Sequence, residues 1–267
     1  MIKVGVAGAT GKMGSRIAAL CREYEGLQLA AAFEREGHRD IGKDIGTVVG
    51  IGETGVLLKG SLAEVIDNVD VIIDFTSIES TTQNLKTASE KGRAMVIGTT
   101  GFSKDELATI TPLLKKIPCV MASNMSLGVN LLLKVLQDVA RTLGDDYDIE
   151  IVEAHHRLKK DAPSGTALKM AQVIAGAVNR DLEQVGVYSR HGIIGQRTRK
   201  EIGIQTVRAG DIVGEHTVMF GGLGERIEIT HKASSRDTFA RGALRACLWL
   251  ACKPAGLYDM QDVLNLK

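Results

Sequence analysis

A glycine-rich turn that begins at residue 8 places the strongest constraint on how this 267-residue chain can fold. The apolar run Ile2–Ala7 precedes the turn, the amphipathic run Met13–Tyr24 follows it, and the turn itself reads GATGKMG. In a strand–turn–helix unit, Gly8 permits the tight turn, Gly11 lets backbone amides approach a pyrophosphate, and Gly14 allows close helix–strand packing. The helix N-terminus adds a partial positive charge. The sequence therefore predicts a Rossmann-type unit that binds a nicotinamide dinucleotide.

A carboxylate at the end of the next predicted strand, Leu27–Phe33, affects the choice of dinucleotide. Glu34 lies twenty residues beyond Gly14, where a carboxylate binds the adenosine ribose hydroxyls and favours NADH. Arg35 and Lys12 are placed to meet the 2′-phosphate of NADPH, although Arg35 could equally be a solvated charge in its loop. We therefore predict that NADH and NADPH both serve as cofactor.

Strands and helices alternate through the rest of the first half. The predicted elements are strands Val69–Phe75, Ala94–Thr99 and Cys119–Ala122 and helices Glu79–Lys91 and Lys104–Lys116. This alternation predicts parallel strands with right-handed crossovers, hence a doubly wound α/β sheet. Because such sheets bind ligands at the carboxyl ends of their strands, three segments are expected to line the cofactor. They are Asp74–Thr76, Gly98–Gly101 and Ala122–Met125.

The pattern changes after Asn124, where strands begin to follow one another without helices between them. The predicted elements are helices Val129–Leu143, Gly165–Val178 and Thr238–Ala251 and strands Asp148–Ala154, Ile202–Arg208, His216–Phe220 and Arg226–His231. Strands joined by glycine-rich turns indicate a mixed or antiparallel sheet with one open face. The sequence therefore predicts a second α+β domain.

Titratable side chains are concentrated in one segment of that second domain, which reads EAHHRLKKDAPSGT from Glu153 to Thr166. If the strand continues, His155 and His156 point to opposite faces, which disfavours a shared metal ion. Histidine can donate a proton near neutral pH, and a nearby lysine attracts anions and lowers the histidine pKa. The proton for a reaction is therefore expected to come from His155 or Lys159.

The end of the same segment looks like the start of a helix. Ser164 is a plausible N-cap, and Gly165 and Thr166 leave the amides of the first turn uncovered. Such a helix start binds a carboxylate or a phosphate, so Ser164, Gly165 and Thr166 are predicted to bind substrate. The residues together favour a nicotinamide-dependent reductase that acts on a small anion, with a carboxylate as the expected group.

Composition excludes several other classes of function. A net charge of +1 gives no electrostatic reason to expect nucleic-acid binding, and no apolar run reaches the length of a membrane span. The first strand begins within a few residues of Met1, so we expect no signal segment and a cytoplasmic location. The four cysteines lack metal-ligand spacing and are expected to be reduced thiols in the core, with no metal site.

These residues and motifs resemble those of the 4-hydroxy-tetrahydrodipicolinate reductase family over nearly the whole chain. The specific part of the resemblance is Glu153–Arg157 with Lys159 and Asp161–Ala167. The other matching segments are Gly8–Gly14, Glu34–Arg35, Asp74–Thr76, Gly98–Gly101, Ser126–Asn130, Arg208–His216 and Thr230–Arg236. The glycine turn by itself would be a weak match, because such spacings arise by chance.

The resemblance implies a role for each matching residue. His155 would donate or accept a proton, Lys159 would donate one, and His156, Gly165 and Thr166 would bind the dicarboxylate substrate. The residues implied to hold the cofactor are Gly8, Ala9, Thr10, Gly11, Lys12, Met13, Glu34, Arg35, Gly98, Thr99, Thr100, Ala122, Ser123, Asn124 and Met125. The implied reaction is the NAD(P)H-dependent reduction of 4-hydroxy-tetrahydrodipicolinate (dihydrodipicolinate) to tetrahydrodipicolinate in lysine and diaminopimelate biosynthesis.

The resemblance also implies how the chain is organised. Residues 1–126 and 237–267 would form the dinucleotide-binding domain, and residues 127–236 a substrate-binding domain whose open sheets pack together in a homotetramer. Two positions depart from the family pattern. Leu158 stands where members often carry histidine, which casts doubt on any role for that position, and Met125 replaces a common phenylalanine beside the nicotinamide.

Two alternative functions fit part of the same sequence. One is another two-domain reductase that acts on a semialdehyde or a different imine; a nucleophilic mechanism would then require an activated cysteine, and folding could bring Cys119 near the site. The other is a non-catalytic dinucleotide sensor, which needs the glycine turn but neither His155 nor Lys159.

Overall fold

A seven-stranded parallel sheet forms the first of two units in the computed structural model, which describes residues 1–267. The first unit comprises residues 1–127 and 236–267, and the second comprises residues 128–235. The resemblance implied boundaries at residues 126/127 and 236/237, and the division between these two units falls at 127/128 and 235/236. None of the helices is both long and apolar enough to cross a membrane.

The first part of the chain alternates strands and helices. In chain order the elements are β1 (Ile2–Ala7), α1 (Gly14–Cys21), β2 (Leu27–Phe33), α2 (Ile45–Val49), β3 (Leu58–Lys59), β4 (Val71–Asp74), α3 (Ile78–Glu90), β5 (Ala94–Ile97), α4 (Lys104–Leu114) and β6 (Pro118–Met121). Every residue of β4 and β5 is buried. Burial on both faces explains why these strands read as continuous apolar runs, as expected of a parallel sheet covered by helices.

The second unit is built from fewer, longer elements. They are α5 (Leu127–Leu143), β7 (Asp148–His155), α6 (Gly165–Ala177), α7 (Leu182–Val185), β8 (Gly186–Val187), β9 (Ile202–Arg208), β10 (Gly214–Gly221) and β11 (Arg226–Ala233). The strand order is β11-β10-β7-β9-β8, with β7 antiparallel to β10 and parallel to β9. The predicted mixed sheet is therefore confirmed.

One face of this mixed sheet is covered and the other is not. Buried side chains of α5 and α6, among them Leu136 and Ile174, form one core with Ile151 of β7 and Phe220 of β10. Residues of the opposite face, such as Val152, are only half-buried. The alternation of buried and less buried positions along β7 and β10 follows from this one-sided cover.

The last part of the chain returns to the first unit. It consists of α8 (Asp237–Leu250), β12 (Gly256–Tyr258) and α9 (Met260–Val263). Helix α8 buries Ala243 and Cys247 in the core that also contains β1, and β12 pairs with β6 at the edge of the sheet. The complete strand order is β12-β6-β5-β4-β1-β2-β3, so the direction of winding reverses between β1 and β4. Such a reversal is where doubly wound sheets bind ligands.

The main differences from the sequence prediction concern length. The first helix was predicted as Met13–Tyr24, but it begins at Gly14 and ends at Cys21, since the chain turns into β2 at Leu27. The sequence did not predict α2, β3, α7, β8, β12 or α9. These elements have two to five residues each, too few to show a hydrophobic period.

Candidate active site

The glycine turn adopts the conformation that its three glycines permit. Gly8 has a φ of +58°, in the left-handed region, and a Cβ atom there would lie 2.8 Å from Thr76 Cγ2. The Gly11 amide donates to the Gly8 carbonyl at 2.9 Å and closes the turn. A Cβ atom at Gly14 would overlap that same carbonyl. A larger residue at Gly14 would therefore push α1 away from the turn.

The start of α1 has the properties of an anion-binding site. No side chain caps the helix at Met13, and its first turn carries no acidic residue. Lys12, immediately before this start, is exposed. Because the first amides of a helix lack intrahelical partners, an uncapped start beside a lysine favours a phosphate group.

Glu34 is tied to the turn through one of its carboxylate oxygens. Its Oε1 accepts hydrogen bonds from the Thr10 amide at 3.0 Å and from the Thr10 hydroxyl at 2.7 Å. The same hydroxyl lies 3.4 Å from His38 Nε2. Thr10 thus orients the Glu34 carboxylate, and Arg35 beside it is exposed.

A groove of about 970 Å³ in the first unit brings part of the predicted cofactor site together. Of the predicted residues, its lining contains Gly8, Thr10, Gly11, Glu34 and Arg35. The predicted residues outside the lining are Ala9, Lys12, Met13, Gly98, Thr99, Thr100, Ala122, Ser123, Asn124 and Met125. Ala9 and Met125 are buried in the core. The groove, the uncapped helix start and the oriented carboxylate together fit a dinucleotide.

Asp74, at the end of β4, organises the loops after two central strands. Its buried Oδ1 accepts hydrogen bonds from the Thr76 amide at 3.0 Å and the Thr81 hydroxyl at 3.0 Å, and its Oδ2 accepts one from Asn84 at 2.8 Å. The Thr99 hydroxyl lies 2.8 Å from that of Thr81. Thr99 is therefore held within this buried network, whereas Thr100 is exposed.

In the second unit, strand register brings together side chains that are distant in sequence. Glu153 and His155 lie on the covered face of β7, as do Ile149 and Ile151. Glu153 stands opposite Thr206 of β9 and His216 of β10, and His155 stands opposite Arg208. The apolar face of the sheet thus ends in a polar cluster of Glu153, His155, Thr206, Arg208 and His216.

Glu153 is the centre of this cluster. Its fully buried side chain accepts hydrogen bonds from His155 Nδ1 at 2.6 Å, from Arg208 at 2.7 and 2.8 Å, and from the Ser164 amide at 2.9 Å. Burial alone would raise the pKa of Glu153, but the hydrogen bonds from Arg208, His155 and Ser164 outweigh it and hold the pKa at about 2. Glu153 is therefore a carboxylate at neutral pH.

The two histidines of the cluster have lowered pKa values. Burial lowers the pKa of His155, against the raising effect of the Glu153 hydrogen bond and charge, and Lys159 and Arg208 lower it further. Burial, with smaller effects from neighbours, lowers the pKa of His216 to about 4. The two rings meet edge to face, with 5.2 Å between their centroids. His216 is neutral at pH 7, and its Nε2 lies 2.9 Å from Ser164 Oγ.

The start of α6 is capped on one side and open on the other. Ser164 Oγ accepts a hydrogen bond from the Ala167 amide at 3.1 Å, so the predicted N-cap is confirmed. The Ser164 side chain is buried, with its hydroxyl and amide both engaged within the protein. Gly165 is exposed, and a Cβ atom there would meet nothing within 4 Å. The open side of the helix start is therefore at Gly165.

The loop between β7 and α6 carries the remaining predicted residues. Lys159 Nζ donates to both carboxylate oxygens of Asp161, at 2.9 and 2.8 Å, and this pairing lowers the pKa of Asp161. His156 Nδ1 is buried and has no hydrogen-bond partner. Leu158, at the position that departs from the family pattern, is 79% exposed. The loop thus holds a cation and an unsatisfied imidazole nitrogen near the helix start.

No activated thiol supports a nucleophilic mechanism. Cys119 is fully buried in β6, where burial raises its pKa to about 12. Burial also raises the pKa of Cys21, to about 11. These two thiols are protonated at neutral pH and behave as core residues, as does the buried Cys247. The expectation that all four cysteines lie in the core is wrong for Cys252, which is exposed. No group of three or more His, Cys, Asp or Glu side chains is arranged to hold a metal ion.

Sequence reasoning did not assign site roles to Glu153, Arg208 and His216, although all three lie in segments that it quoted. One signal could have found Glu153: in DIEIVEAH, Ile149, Ile151, Glu153 and His155 share a face, so an acid continues a buried apolar stripe. A buried acid needs a partner, but the sequence does not say that Arg208 supplies it.

A Rossmann-type unit joined to a unit with a proton-donor cluster and an anion-binding helix start defines a two-unit nicotinamide-dependent oxidoreductase. Comparison with known families makes the assignment specific. Residues 2–125 match the model "Dihydrodipicolinate reductase, N-terminus", and residues 128–264 match "Dihydrodipicolinate reductase, C-terminus". The chain therefore belongs to the dihydrodipicolinate reductase family.

Individual relatives agree over their full lengths. The chain is 57% identical to the 4-hydroxy-tetrahydrodipicolinate reductase of Syntrophobacter fumaroxidans and 56% identical to that of Syntrophus aciditrophicus, with all of each chain covered. Among solved structures, the dipicolinate-bound dihydrodipicolinate reductase from Paenisporosarcina sp. TG-14 superposes with a TM-score of 0.74 at 26% identity, covering 98% of both chains. The predicted family and fold class are thereby confirmed.

Proposed function

We propose that this protein catalyses the NAD(P)H-dependent reduction of 4-hydroxy-tetrahydrodipicolinate to tetrahydrodipicolinate, a step of lysine and diaminopimelate biosynthesis. The observation that carries the proposal is the polar cluster around His155 beside the open start of α6. A dinucleotide sensor would need no such cluster. The names of full-length relatives and the dipicolinate held by the Paenisporosarcina reductase support the same substrate class.

In this reaction the substrate gains a hydride and a proton and loses water. When bound, the reduced nicotinamide supplies the hydride. Lys159 is an ammonium that can donate a proton, and His155 Nε2 can accept or donate one. The amides at Gly165 and Thr166 and the His156 side chain bind the substrate carboxylates. Ser164 shapes this helix start through its own hydrogen bonds and, as predicted from the sequence, belongs to the proposed substrate-binding site.

The proposed cofactor site extends beyond the groove, whose lining includes Gly8, Thr10, Gly11, Glu34 and Arg35. The segments 98–100 and 122–125 follow β5 and β6, the strands beyond β4 in the sheet, and complete the cofactor site at their carboxyl ends. Both NADH and NADPH are used, because a carboxylate suited to a free ribose hydroxyl stands beside the exposed cations Arg35 and Lys12.

Assembly and location are part of the same proposal. The outer strand β11 leaves its edge unpaired and its residues Arg226 to Glu228 exposed, and Val207 of β9 is 43% exposed. Exposed sheet edges and apolar side chains favour association between copies. We propose a homotetramer in the cytoplasm, to be tested by light scattering after size-exclusion chromatography; a monomer would contradict the assembly.

A coupled assay tests the function. The enzyme that condenses pyruvate with aspartate semialdehyde would generate the unstable substrate in place. Oxidation of NADH or NADPH would be followed by the loss of absorbance of the reduced nicotinamide. We expect oxidation that depends on both precursors and is inhibited by dipicolinate. Tight dinucleotide binding without substrate-dependent oxidation would instead support a sensor.

A further inference from the structure

The hydrogen-bond geometry at Glu153 determines which nitrogen of His155 is available for proton exchange. Glu153 Oε2 lies 2.6 Å from His155 Nδ1 and also accepts from Arg208 Nη1 at 2.7 Å. A carboxylate is only an acceptor, so Nδ1 must carry the hydrogen atom. In neutral His155, Nε2 is then the nitrogen without a proton.

A glycine on the neighbouring strand leaves space beside His155 Nε2. The neighbouring residue on β10 is Gly214, and a Cβ atom added there would lie 3.1 Å from His155 Nε2. Any side chain at this position would press against the ring nitrogen. The glycine therefore leaves Nε2 without a side chain of β10 against it, while Glu153 holds the opposite side of the ring.

The other oxygen of the same carboxylate reaches the start of α6. Glu153 Oε1 accepts from the Ser164 amide at 2.9 Å, from Arg208 Nη2 at 2.8 Å and from the Thr206 hydroxyl at 3.3 Å. Ser164 in turn caps the helix and contacts His216. One buried group thus links the imidazole to the helix start that is proposed to bind substrate carboxylates.

We propose that Glu153 is a positioning residue that fixes His155 in the Nδ1–H tautomer and holds it at a set distance from the start of α6. This inference rests on the proposed function for its catalytic meaning, but the tautomer itself does not depend on turnover. In carboxylate–histidine pairs, the hydrogen bond at one nitrogen sets the state of the other. Glu153 does not touch the substrate.

Four charged or titratable groups face His155. Glu153 lies on the same strand, Arg208 comes from β9, His216 from β10, and Lys159 from the loop after β7. Of these, only Glu153 raises the His155 pKa. Removal of its charge should therefore lower that pKa and reduce the fraction of His155 that is protonated at any given pH.

The first experiment needs no variant. The full-length protein, labelled with ¹⁵N in its histidine imidazoles and free of substrate and cofactor, would be examined by long-range ¹H–¹⁵N NMR above the ordinary pKa of histidine. The His155 signal, assigned by its loss in His155→Asn, should show a protonated Nδ1 and an unprotonated Nε2. A protonated Nε2 in neutral His155 would overturn the proposal, whether or not the protein reduces the proposed substrate.

The second experiment uses Glu153→Gln with Glu150→Gln as its matched control. Glu150 lies on the same strand but on the opposite face, where it pairs with Arg190 and Arg197. In Glu153→Gln, the His155 titration and the acid limb of kcat/KM should both move to lower pH, and kcat should fall by about 10²-fold. Glu150→Gln should leave the His155 titration unchanged.

The outcomes separate positioning from simple stabilisation. A Glu153→Gln protein that folds and titrates at His155 like the unmodified protein would refute the positioning role, even if its activity falls. If Glu153→Gln fails to fold, the tautomer of the unmodified protein decides the question. Absence of reductase activity in the unmodified protein would refute the proposed function and leave the tautomer result standing.

Discussion

At the scale of single residues, the protein holds its two proposed proton-transfer groups in different ways. Lys159 pairs with Asp161, whose side chain is 63% exposed, so the lysine can leave that pair at little cost. His155 is held by a buried carboxylate and a neighbouring imidazole. The lysine is therefore paired with an exposed partner, whereas the histidine, whose pKa is lowered, is held by buried ones.

We expect replacement of either group to impair turnover without affecting dinucleotide binding. His155→Asn and Lys159→Ala should each lower kcat by about 10²- to 10⁴-fold, the usual contribution of a positioned acid or base. Lys160→Ala, which removes a neighbouring exposed lysine, is the control and should retain nearly full activity. The checks are steady-state kinetics and NADH binding by fluorescence. Full turnover in both test variants would contradict the roles proposed for them.

Glu34 permits a second prediction at this scale. Glu34→Gln keeps an amide oxygen for Thr10 but removes the negative charge, which favours a free ribose hydroxyl and repels a 2′-phosphate. KM for NADH should rise by about tenfold, a loss of about 1.4 kcal/mol, while KM for NADPH should stay level or fall. Glu53→Ala, which removes an exposed carboxylate outside the lining of the groove, is the control. Equal changes for both cofactors would contradict a role in discrimination.

At the scale of elements, serine side chains cap the starts of three helices, α3, α4 and α6. The caps of α4 and α6 differ in what they support. Ser103 caps α4 of the first unit in a capping box with Glu106. Ser164 caps α6 of the second unit and also contacts His216. The α4 cap serves only its helix, whereas the α6 cap also belongs to the polar cluster.

Ser164→Ala and Ser103→Ala are therefore a matched pair. Each should lower the free energy of unfolding by about 1 kcal/mol, the usual value of an N-cap, as measured by chemical denaturation. Only Ser164→Ala should also raise KM for the substrate, because only α6 is proposed to bind carboxylates. An unchanged KM in Ser164→Ala would argue against that proposal.

The helices and strands also show which structural features could be predicted from the sequence. Long apolar runs such as Val71–Asp74 and the periodic pattern of α5 were found because burial on both faces or on one stripe leaves a visible period. The pair Glu153–Arg208 was not predicted, because it depends on the register of β7 against β9. The sequence of one strand alone does not specify that register. The N-cap at Ser164 was found because capping is local.

At the scale of the whole molecule, Glu153 and His216 make stability depend on pH in the same direction, and the lowered pKa of His155 adds to the effect. Glu153 has a pKa of about 2 when folded, so its contribution is complete above its ordinary value of 4.5 and is lost as the pH falls toward 2. His216 resists protonation down to about pH 4, whereas the unfolded chain takes up the proton near pH 6.5. Both effects favour unfolding in acid.

We therefore expect the free energy of unfolding to decrease continuously as the pH falls from about 6.5 to 2. His216→Gln, which cannot titrate, should flatten the upper part of this dependence, between pH 6.5 and 4. His191→Gln, at an exposed histidine, should not. Urea denaturation across this pH range is the measurement. A slope between pH 6.5 and 4 that survives in His216→Gln would show that other groups cause it.

The first unit includes three elements that follow the second unit in sequence, namely α8, β12 and α9. This order affects how the protein folds during its synthesis. The ribosome completes residues 128–235 before it has synthesised helix α8, which packs against α1, β4, β5 and β6. The unit whose synthesis begins first is therefore the last to be completed. During synthesis, the apolar surface that later contacts α8 stays uncovered while the whole second unit is produced, and it requires protection for that interval. A premature stop after residue 235 would leave the second unit with all of its residues, and the nucleotide-binding unit would lack residues 236–267.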